Sequence, residues 1–351
     1  MEDASLPRSY KIAVLPGDGI GPEVIEATTK VLQATQEAMK GLKINLIFGE
    51  AGYNCIKKYG TNLPEETLRI LRETDACLKG PMTTPEDPKA PPSAAVTIRK
   101  TFGLYANVRP CRSLPGVKSA KPNVDLIIVR ENTEGLYSGK EFEVSPGKGV
   151  AMRIVTRNAS ERVARLAFEL AAERKRHLTC VHKRNILRIT DGIFRDSIFK
   201  VAKDYPSVYV DEVHVDAMAM RLVKEPEKFD VIVTTNMFGD ILSDEAAQIT
   251  GGLGLAAGAN IGDNYAMFEP VHGSAPKYAG KNKVNPIATI LAAKMMMDYL
   301  NEKEAAELIE KAVIEVLKEG KVRTYDLGGR STTQEVGEEI ASKILELSPQ
   351  R

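Results

Sequence analysis

The alternation of short apolar runs with longer amphipathic stretches limits the folds open to this chain more than any other feature. Residues 10–16 are apolar and precede an amphipathic stretch over residues 23–39. Further apolar runs at 44–48 and 76–79 enclose a helical pattern at 64–73. Strands that alternate with amphipathic helices in this way are typical of βαβ units. The N-terminal part of the chain therefore predicts an α/β fold with parallel strands.

The rest of the chain continues this pattern. Strands are predicted at 104–108, 124–129, 178–181, 208–215 and 231–234, and helices at 97–102, 161–175, 288–300 and 302–318. Further helices are expected between the strands at 178–181, 208–215 and 231–234. The Asn-Ala-Ser sequence at 158–160 is a capping signal for the helix that follows it. Alternating residues interspersed with Gly and Pro over 137–156 predict a hairpin that projects from the body of the protein.

Glycine and proline mark the segments that we expect to be irregular. Residues 80–93 contain five of the 19 prolines and predict an exposed loop that is available for function. Residues 110–122 are also loop-like. Residues 251–262 contain five glycines in twelve positions. Such a segment is expected to be tightly turned or mobile, and to act as a hinge or a ligand-facing loop.

The charge balance excludes a broad electrostatic attraction to other macromolecules. The 351 residues include 48 Lys and Arg against 47 Asp and Glu, a net charge of +1. Such a chain has no basic field for a nucleic acid or an anionic membrane. Its length favours two domains of about 150 residues each. Any charged chemistry must therefore be local.

The cysteines and the N-terminus favour a cytoplasmic protein. The four cysteines are scattered without a Cys-x-x-Cys pair, which argues against disulfides or a thiolate metal site and favours small buried side chains. The N-terminus lacks a charged region followed by an apolar core, and no apolar run reaches the ~18 residues of a membrane span.

Two glycine motifs resemble a dinucleotide-binding loop without matching its context. The motif at 17–21, Gly-Asp-Gly-Ile-Gly, follows a predicted strand, but it is one residue shorter than the Rossmann spacing. A tight strand-to-helix turn without cofactor contact is at least as good an interpretation. The motif at 252–257 has the correct spacing but does not follow a strand directly, and we reject it as a Rossmann signature.

A pair of acidic residues follows the predicted strand at 231–234. Asp240 and Asp244 are four positions apart, so on a helix they project from one face, and we expect them in its first turn. Paired carboxylates are suitable ligands for Mg²⁺ or Mn²⁺. Taken alone, the pair would favour a helix N-cap followed by a solvated acidic residue.

Cationic and phenolic residues accumulate around the Pro-rich loop and after apolar strands. Arg99 and Arg109 lie near the loop, and Arg130 closes the predicted strand at 124–129. A guanidinium at a strand end faces the crevice where α/β proteins bind ligands, and three such groups suggest a small polyanionic substrate. Singly, each would be an ordinary surface ion pair. Tyr137 and Lys183 also follow apolar strands, and charged neighbours can move such pKa values toward neutrality for acid or base catalysis. Without those neighbours they are ordinary exposed residues.

Long motifs throughout the chain are similar to one family, the metal-dependent β-decarboxylating dehydrogenases of 2-hydroxy acids. This family contains isocitrate, 3-isopropylmalate, homoisocitrate and tartrate dehydrogenases. The motifs are GDGIGPE (17–23), RKTFGLYANVRP (99–110), VRENTEGLY (129–137), VHKRNI (181–186), VDAMAM (215–220), NMFGDILSDEAAQITGGLG (236–254), FEPVHGSAPKYAGKNKVNP (268–286) and TYDLGG (324–329). Within the family, the chain most resembles NADP-dependent isocitrate dehydrogenases.

The resemblance implies a two-domain α/β fold with a large mixed sheet flanked by helices. Residues 1–110 and 260–351 would form a large cofactor-binding domain. Residues 111–259 would form a smaller domain with a dimer-interface hairpin and the metal-binding aspartates. The implied assembly is a homodimer with shared active sites, in which Lys183 and Asp216 act from the partner subunit.

The resemblance also implies a role for each polar residue of the cleft. Tyr137 would protonate the enol carbon after CO₂ leaves, and Lys183 would remove the hydroxyl proton. The metal ligands for Mg²⁺ or Mn²⁺ would be Asp216, Asp240 and Asp244. The substrate would be bound by Ser93, Arg99, Arg109, Arg130, Tyr137, Lys183 and Asp216. No position of this acid, base and metal set is substituted, which argues against a non-catalytic binding protein.

The implied cofactor is NADP. Its site would be formed by Thr83, Thr84, Glu269, His272, Gly273, Ser274, Ala275, Lys277, Tyr278, Asn285 and Tyr325, with Arg330 near by. Members that use NAD usually have an Asp-Ile pair at 277 and 278, where the acid accepts from the ribose 2′-hydroxyl. Lys277 and Tyr278 instead suit a 2′-phosphate.

The substrate is expected to be isocitrate, with homoisocitrate, 3-isopropylmalate or a broad range of malates as the alternative. Ser93 stands where isocitrate dehydrogenases place a serine for the third carboxylate. Ala95, however, replaces an asparagine that contacts the same carboxylate, and loss of a polar partner costs binding. The motifs at 215–220 and 268–270 are more similar to the isopropylmalate branch, whose pocket is apolar and would fit Ala95 and Val96.

Overall fold

The apolar strands predicted from the sequence assemble into one mixed sheet. The computed structural model describes residues 8–87 and 90–348. The strands in chain order are β1 (Arg8–Leu15), β2 (Leu42–Phe48), β3 (Ala76–Lys79), β4 (Ala106–Arg112), β5 (Asp125–Glu131), β6 (Glu141–Ser145), β7 (Lys148–Ala151), β8 (His177–His182), β9 (Tyr209–His214), β10 (Val231–Thr234), β11 (Ala257–Ile261) and β12 (Ala266–Pro270).

Helices connect the strands and cover both faces of the sheet. They are α1 (Gly21–Ala38), α2 (Tyr53–Tyr59), α3 (Glu65–Arg72), α4 (Ala94–Thr101), α5 (Arg157–Ala172), α6 (Thr190–Val201), α7 (Val215–Lys224), α8 (Asn236–Thr250), α9 (Ile287–Tyr299), α10 (Lys303–Glu319) and α11 (Thr333–Leu347). Of these, α2 and α11 were not predicted from the sequence pattern. In the part of the chain that the structure describes, no helix is both long and apolar enough to cross a membrane.

The sheet has ten strands in the order β2-β1-β3-β12-β11-β4-β5-β10-β8-β9. Pairing is parallel among β2, β1, β3 and β12, and again among β5, β10, β8 and β9. The strands β11 and β4 pair antiparallel with both of their neighbours. The expected α/β class with a large mixed sheet flanked by helices is confirmed, and the direction of the strands reverses at its centre.

Alternation along each strand divides the core between the two faces of the sheet. In β1, Ile12 and Val14 belong to one apolar cluster, whereas Ala13 and Leu15 belong to another. The first cluster extends along one face of the whole sheet and includes the predicted buried side of α10. A third cluster, with Met218 and Phe229, covers β5 and β10 on the opposite face. All four cysteines are buried and free, as expected.

Several predicted boundaries were wrong. The strand β4 continues to Arg112, so the expected loop from 110 begins later. The helix α5 begins at Arg157 with Thr156 as its N-cap, whose hydroxyl accepts from the backbone N–H of Ala159. The signal at 158–160 therefore lies inside the helix. The predicted hairpin at 137–156 is confirmed, because β6 and β7 form a separate, fully exposed two-stranded sheet.

The glycine-rich segment at 251–262 is only partly the turn that its composition predicts. Gly251 and Gly252 have φ values of 141° and 107°, which end α8 in a tight turn. Residues 257–261, however, form the largely buried strand β11 at the centre of the sheet. The expectation of a mobile hinge or ligand-facing loop was wrong for these residues, because their backbone pairs in register with β12 on one side and β4 on the other.

Candidate active site

Arg130 is a buried cation near the end of β5, packed against α8. Its side chain is 1% exposed, and Oδ1 of Asn236 accepts from its Nε and Nη2 at 3.0 and 2.7 Å. Its Nη1 is paired with Asp240 on α8. A Cβ at Gly239 would lie 2.7 Å from both Cβ and Cγ of Arg130, so only glycine allows the helix to lie this close.

Arg109 contacts the carboxylates of both Asp240 and Asp244 on α8. Its Nη2 lies 3.3 Å from Oδ1 of Asp240, and its Nη1 lies 3.2 Å from Oδ1 of Asp244. Ser243 accepts from Nη1 at 2.6 Å. The expected common face of the two aspartates is therefore confirmed. Their expected place in the first turn was wrong, since α8 begins at Asn236 and Asp240 lies one turn further along.

Tyr137 contacts the same carboxylate from the other side. Its hydroxyl donates to Oδ2 of Asp240 at 2.5 Å, and the guanidinium of Arg130 lies 4.9 Å from the centre of its ring. Burial, followed by the hydrogen bond to Asp240, raises the pKa of Tyr137 above its ordinary value. The expected shift toward neutrality was thus wrong in direction. The raised pKa keeps the phenol protonated, as a proton donor must be.

The pKa values of Asp240 and Asp244 shift in opposite directions. Burial opposes ionisation of Asp240, but the charges of Arg130 and Arg109 outweigh it and lower its pKa. Burial raises the pKa of Asp244, whose side chain is 53% exposed. Two carboxylates on one helix face fit part of the oxygen donor set of Mg²⁺ or Mn²⁺. Within the described residues of one chain, no group of three His, Cys, Asp or Glu is placed to complete such a site.

Lys183 and Asp216 form a second, separate pair. They follow β8 and β9, and Nζ of Lys183 lies 2.5 Å from Oδ1 of Asp216. The Lys183 ammonium lowers the pKa of Asp216. Among the described residues, no ion pair connects this pair to Asp240 or Asp244 in the same chain. The structure therefore brings together the arginines, Tyr137 and the α8 aspartates, and leaves Lys183 and Asp216 apart from them.

Arg99 is anchored by Glu269, and sequence reasoning missed the third member of this group. Arg99 Nη2 and Lys79 Nζ lie 2.8 and 2.7 Å from the two carboxylate oxygens of Glu269. All three side chains are at most 10% exposed. Burial opposes ionisation of Glu269, but Lys79 and Arg99 outweigh it and lower its pKa. The sequence signal that could have identified Lys79 is its position as a cation at the end of the apolar run at 76–79.

The predicted loop at 80–93 contains three of the predicted site residues. Residues 88 and 89 of this loop lie outside the described residues. The backbone N–H of Thr83 donates to Asp18 at 2.9 Å, and its hydroxyl lies 2.6 Å from that of Ser274. Thr84 is exposed. Ser93 is the N-cap of α4 without a side-chain capping bond, which leaves its hydroxyl available.

The motif at 17–21 is a structural turn. Gly17 and Gly19 have φ values of 75° and 59°, and a Cβ at Gly19 would lie 2.0 Å from the carbonyl oxygen of Ser274. The carboxylate of Asp18 accepts from backbone N–H groups of Tyr53 and Thr83. These contacts show a tight turn that fixes the loops beside it, and Ile20 of the same motif also lines the cavity that contains most of the predicted cofactor residues.

Most of the predicted cofactor residues line one cavity of about 390 Å³. Its lining includes His272, Gly273, Ala275, Tyr278, Asn285 and Tyr325. The Nε2 atom of His272 is buried and has no hydrogen-bond partner, which is a free polar position for a ligand. Asn285 donates to Asp326 at 3.0 Å. Ser274 and Thr83 lie near by, whereas Glu269 is occupied by its cations.

Three lysines and two tyrosines form a cationic rim at this cavity. The rings of Tyr278 and Tyr325 lie 5.8 Å apart. The ammonium groups of Lys277 and Lys281 lie 5.0 and 5.9 Å from the centre of the Tyr278 ring, and Lys283 lies 5.1 Å from that of Tyr325. Arg330 is exposed. Such a group of cations is suited to an anionic ligand.

Comparison with known proteins assigns this site to a family. The isocitrate/isopropylmalate dehydrogenase family model matches residues 11–340. The chain belongs to this family of oxidative decarboxylating dehydrogenases, and the expected resemblance is confirmed. The family acts on small hydroxy acids with a nicotinamide cofactor and a divalent metal.

Individual relatives differ in the substrate that their names state. The chain is 51% identical over 341 residues to a 3-isopropylmalate dehydrogenase of Methanothermobacter thermautotrophicus, covering 96% of this chain and 99% of the relative. It is 48% identical over 342 residues to an isocitrate/homoisocitrate dehydrogenase of Thermus thermophilus, covering 97% of this chain and 100% of the relative. The solved isocitrate dehydrogenase of Methylococcus capsulatus has a TM-score of 0.91 and 44% identity over 96% of this chain and 99% of its own.

These relatives favour the alternative substrates over the main expectation. Another relative, from Methanocaldococcus jannaschii, is a 3-isopropylmalate/3-methylmalate dehydrogenase that is 47% identical over 342 residues, 96% of this chain and 99% of its own. The expectation of isocitrate as the main substrate is thus less well supported than that of homoisocitrate or 3-isopropylmalate.

Proposed function

We propose that the protein catalyses the metal-dependent oxidative decarboxylation of a 3-substituted malate, with 3-isopropylmalate as the preferred substrate and NADP as the oxidant. The observation that carries this proposal is the convergence of Arg109, Arg130 and Tyr137 on Asp240 and Asp244. Guanidinium groups, a phenol and two carboxylates are the groups required to bind a malate, supply a proton and hold a cation.

The arginines bind and orient the malate carboxylates. Arg109 and Arg130 are almost fully buried, so their charges act in a medium that screens them weakly. Both are now paired with Asp240, and Arg99 is paired with Glu269. A substrate carboxylate would compete with Asp240 and Glu269 for the N–H donors of these guanidinium groups. Because these guanidinium groups are buried and already held in place, they lower the entropic cost of orienting the substrate.

The metal would be held by Asp240 and Asp244 together with Asp216 of a second copy of the chain. A divalent cation held there would supply a positive charge that polarises the oxygen at the reacting carbon and stabilises the negative charge left by decarboxylation. Among the residues that the structure describes, the donor set within one chain is incomplete, which supports this shared arrangement. It also supports a homodimer, with the exposed β6–β7 hairpin as part of its interface.

Two residues of the chain move protons. Lys183, acting in the partner's cleft, would accept the hydroxyl proton as the neutral amine, while the hydride would be transferred to NADP⁺. Tyr137 donates a proton to the carbon that carried the lost carboxylate. Its raised pKa and its place against Arg130 support this role, because the phenol stays protonated beside the site of reaction.

The choice of NADP rests on the cationic rim of the cofactor cavity. Lys277 stands beside Tyr278, and Lys281 and Lys283 add two further positive charges. A ribose 2′-phosphate carries negative charge that these groups would bind, whereas the 2′-hydroxyl of NAD would leave them unpaired. The cavity would place the adenosine against His272 and Asn285.

The choice of 3-isopropylmalate rests on the first turn of α4. Ala95 and Val96 are partly exposed there, and neither side chain can donate to a third carboxylate. An apolar substituent would bury against them at no polar cost. Homoisocitrate is the second candidate, because the hydroxyl of Ser93 at the start of the same helix can still bind a carboxylate.

The deciding experiment measures kcat/KM for 3-isopropylmalate, homoisocitrate and isocitrate, each with NADP and with NAD under Mg²⁺. We expect the highest value for 3-isopropylmalate with NADP. A preference for NAD would overturn the cofactor assignment. A preference for isocitrate would show that Ser93 outweighs Ala95.

A further inference from the structure

A buried chain of amide side chains runs between two of the proposed substrate-binding arginines. Nε of Arg109 donates to Oδ1 of Asn107 at 2.6 Å, and Nδ2 of Asn107 donates to Oδ1 of Asn260 at 3.0 Å. Nδ2 of Asn260 donates to Oε1 of Glu269 at 2.8 Å. Glu269 in turn holds Arg99 at 2.8 Å. The two arginines are thus connected by consecutive hydrogen bonds.

The three hydrogen bonds from Arg109 to Glu269 all point the same way, and Arg99 donates to Glu269 from the opposite side. A cation, Arg109, begins this run of three bonds and an anion, Glu269, ends it, so each amide has its N–H₂ toward the carboxylate and its oxygen toward the guanidinium. Bonds aligned in this way polarise one another and are strengthened in a medium of low dielectric. Asn107 and Asn260 are fully buried, so water does not compete.

Asn260 is the residue that fixes this direction. Its Oδ1 accepts from Asn107 and from Asn132 at 2.9 Å, and its Nδ2 donates to Glu269 and to the carbonyl of Met267 at 3.1 Å. Both acceptor positions and both donors of the amide are therefore used. Turning the amide over would place N–H₂ groups against N–H₂ groups and an oxygen against a carboxylate.

Asn107 and Asn260 also lie at a notable position in the sheet, where the expected large and small domains meet. Asn107 and Asn260 face each other in the register of β4 and β11, the two strands that contain the expected domain boundaries at 110 and 260. Arg99, at one end of the network of hydrogen bonds, belongs to the expected large domain. Arg109 reaches Asp240 and Asp244 of the expected small domain.

We propose that Asn260 and Asn107 are positioning residues that hold Arg99 and Arg109 at a fixed separation for the two carboxylates of the malate. Neither amide touches the substrate. Each acts through an arginine, so its loss would weaken the bound substrate and the transition state equally. Such a loss raises KM and leaves kcat almost unchanged. This inference rests on the proposed function.

The test compares Asn260→Leu with Asn132→Leu by steady-state kinetics and thermal unfolding, using whichever of the three malates the wild type oxidises. Asn132 is the matched control, because it is a buried amide bonded to Asn260 but to neither arginine nor Glu269. We expect N260L to raise KM about tenfold, the effect of weakening one charge-assisted contact, with kcat retained. N132L should lower the melting temperature and keep the wild-type KM.

A second variant keeps the inference testable if N260L does not fold. Asn107→Ala removes the bond to Arg109 at the other end of the chain of amides and should raise KM in the same way. Wild-type KM in N107A and N260L, or an equal rise in N132L, would overturn the inference. A wild type that oxidises none of the three malates would instead overturn the proposed function.

Discussion

Tyr137 and Asp240 share a hydrogen bond of 2.5 Å, so the phenol proposed as the acid and a carboxylate proposed as a metal ligand are in direct contact. The hydroxyl donates to Oδ2, while Oδ1 of Asp240 faces Arg109 and Arg130. One carboxylate is therefore surrounded by three donors. Binding of a divalent cation by this carboxylate would compete with the arginines and release their donors for the substrate.

Asp240→Asn should abolish metal-dependent turnover. The amide removes the charge that a hard cation requires, and the loss of such a stabilising group costs about a hundredfold or more in kcat. Assays over a range of Mg²⁺ and Mn²⁺ concentrations check this. Glu245→Gln, a change on the same helix, is the control and should retain activity. Survival of metal-dependent activity in D240N would show that the site is assigned wrongly.

Tyr137→Phe should slow the reaction without weakening binding of the metal. Removal of a general acid typically lowers the rate by a factor of about 10² to 10⁴. Stopped-flow and steady-state kinetics measure kcat, and titration with Mn²⁺ measures metal affinity. Tyr205→Phe removes a different phenol, near Glu169, and is the matched control. Unchanged kcat in Y137F would exclude the tyrosine as the proton donor.

The double variant Lys277→Asp with Tyr278→Ile should shift the cofactor preference from NADP toward NAD. The aspartate repels a 2′-phosphate and accepts from a 2′-hydroxyl, so we expect the ratio of kcat/KM values to change by about a hundredfold. Lys311→Asp makes the same change of charge at an exposed position on α10 and serves as the control. If both proteins keep the same preference, the rim around Tyr278 does not select the cofactor.

Ala95→Asn should raise activity on isocitrate relative to 3-isopropylmalate. The new amide can donate to a third carboxylate and would place a polar group against an isopropyl substituent. We expect a change of about tenfold in the ratio of kcat/KM values. Ala95→Val is the comparison, because it changes size without adding a donor. An equal gain on isocitrate in A95V would contradict the proposed polar contact.

Glu212→Gln should lower stability at neutral pH and lose this effect in acid. The hydrogen bond from Arg195 lowers the pKa of Glu212 from 4.5 to about 2. A carboxylate with a lowered pKa stabilises the fold above its unfolded pKa, and this contribution disappears as the pH falls from about 4.5 to about 2.

The effect should be small because the Glu212 side chain is 41% exposed and surface ion pairs contribute about 0–1 kcal/mol. Urea unfolding at pH 7, 4 and 3, with the exposed Glu307→Gln as control, measures it. If the stability difference between wild type and E212Q grew as the pH fell, the predicted direction of the pH dependence would be wrong.

The sequence predicted those parts of the site that lie close together along the chain or follow strands. Asp240 and Asp244 are one helical turn apart, so their common face follows from helix geometry alone. Arg130 was expected at the end of a buried strand, and it lies there. Arg109 was expected after a strand but lies within β4, because the strand continues beyond Pro110.

Contacts between distant segments could not be predicted in this way. The pairing of Lys79 with Glu269 depends on β3 and β12 lying side by side, which local periodicity does not determine. The direction of the Asn107 and Asn260 amides depends on charges at both ends of the network. Neither is visible in residue spacing.

Glycine content was misleading where the segment forms a strand rather than a turn. Composition alone suggested a hinge. Residues 257–261 instead form β11, which pairs with β12 and with β4, and long-range strand pairing of this kind is not visible in composition.

The close contact of Gly239 with Arg130 limits how this scaffold can be redesigned. Any larger residue at 239 would force the α8 backbone away from the strand below it, together with every group that the helix presents to the cleft. Attempts to alter cation preference by library selection should therefore keep position 239 constant and vary the neighbouring side chains. The distance between helix and sheet is not an adjustable variable in this scaffold.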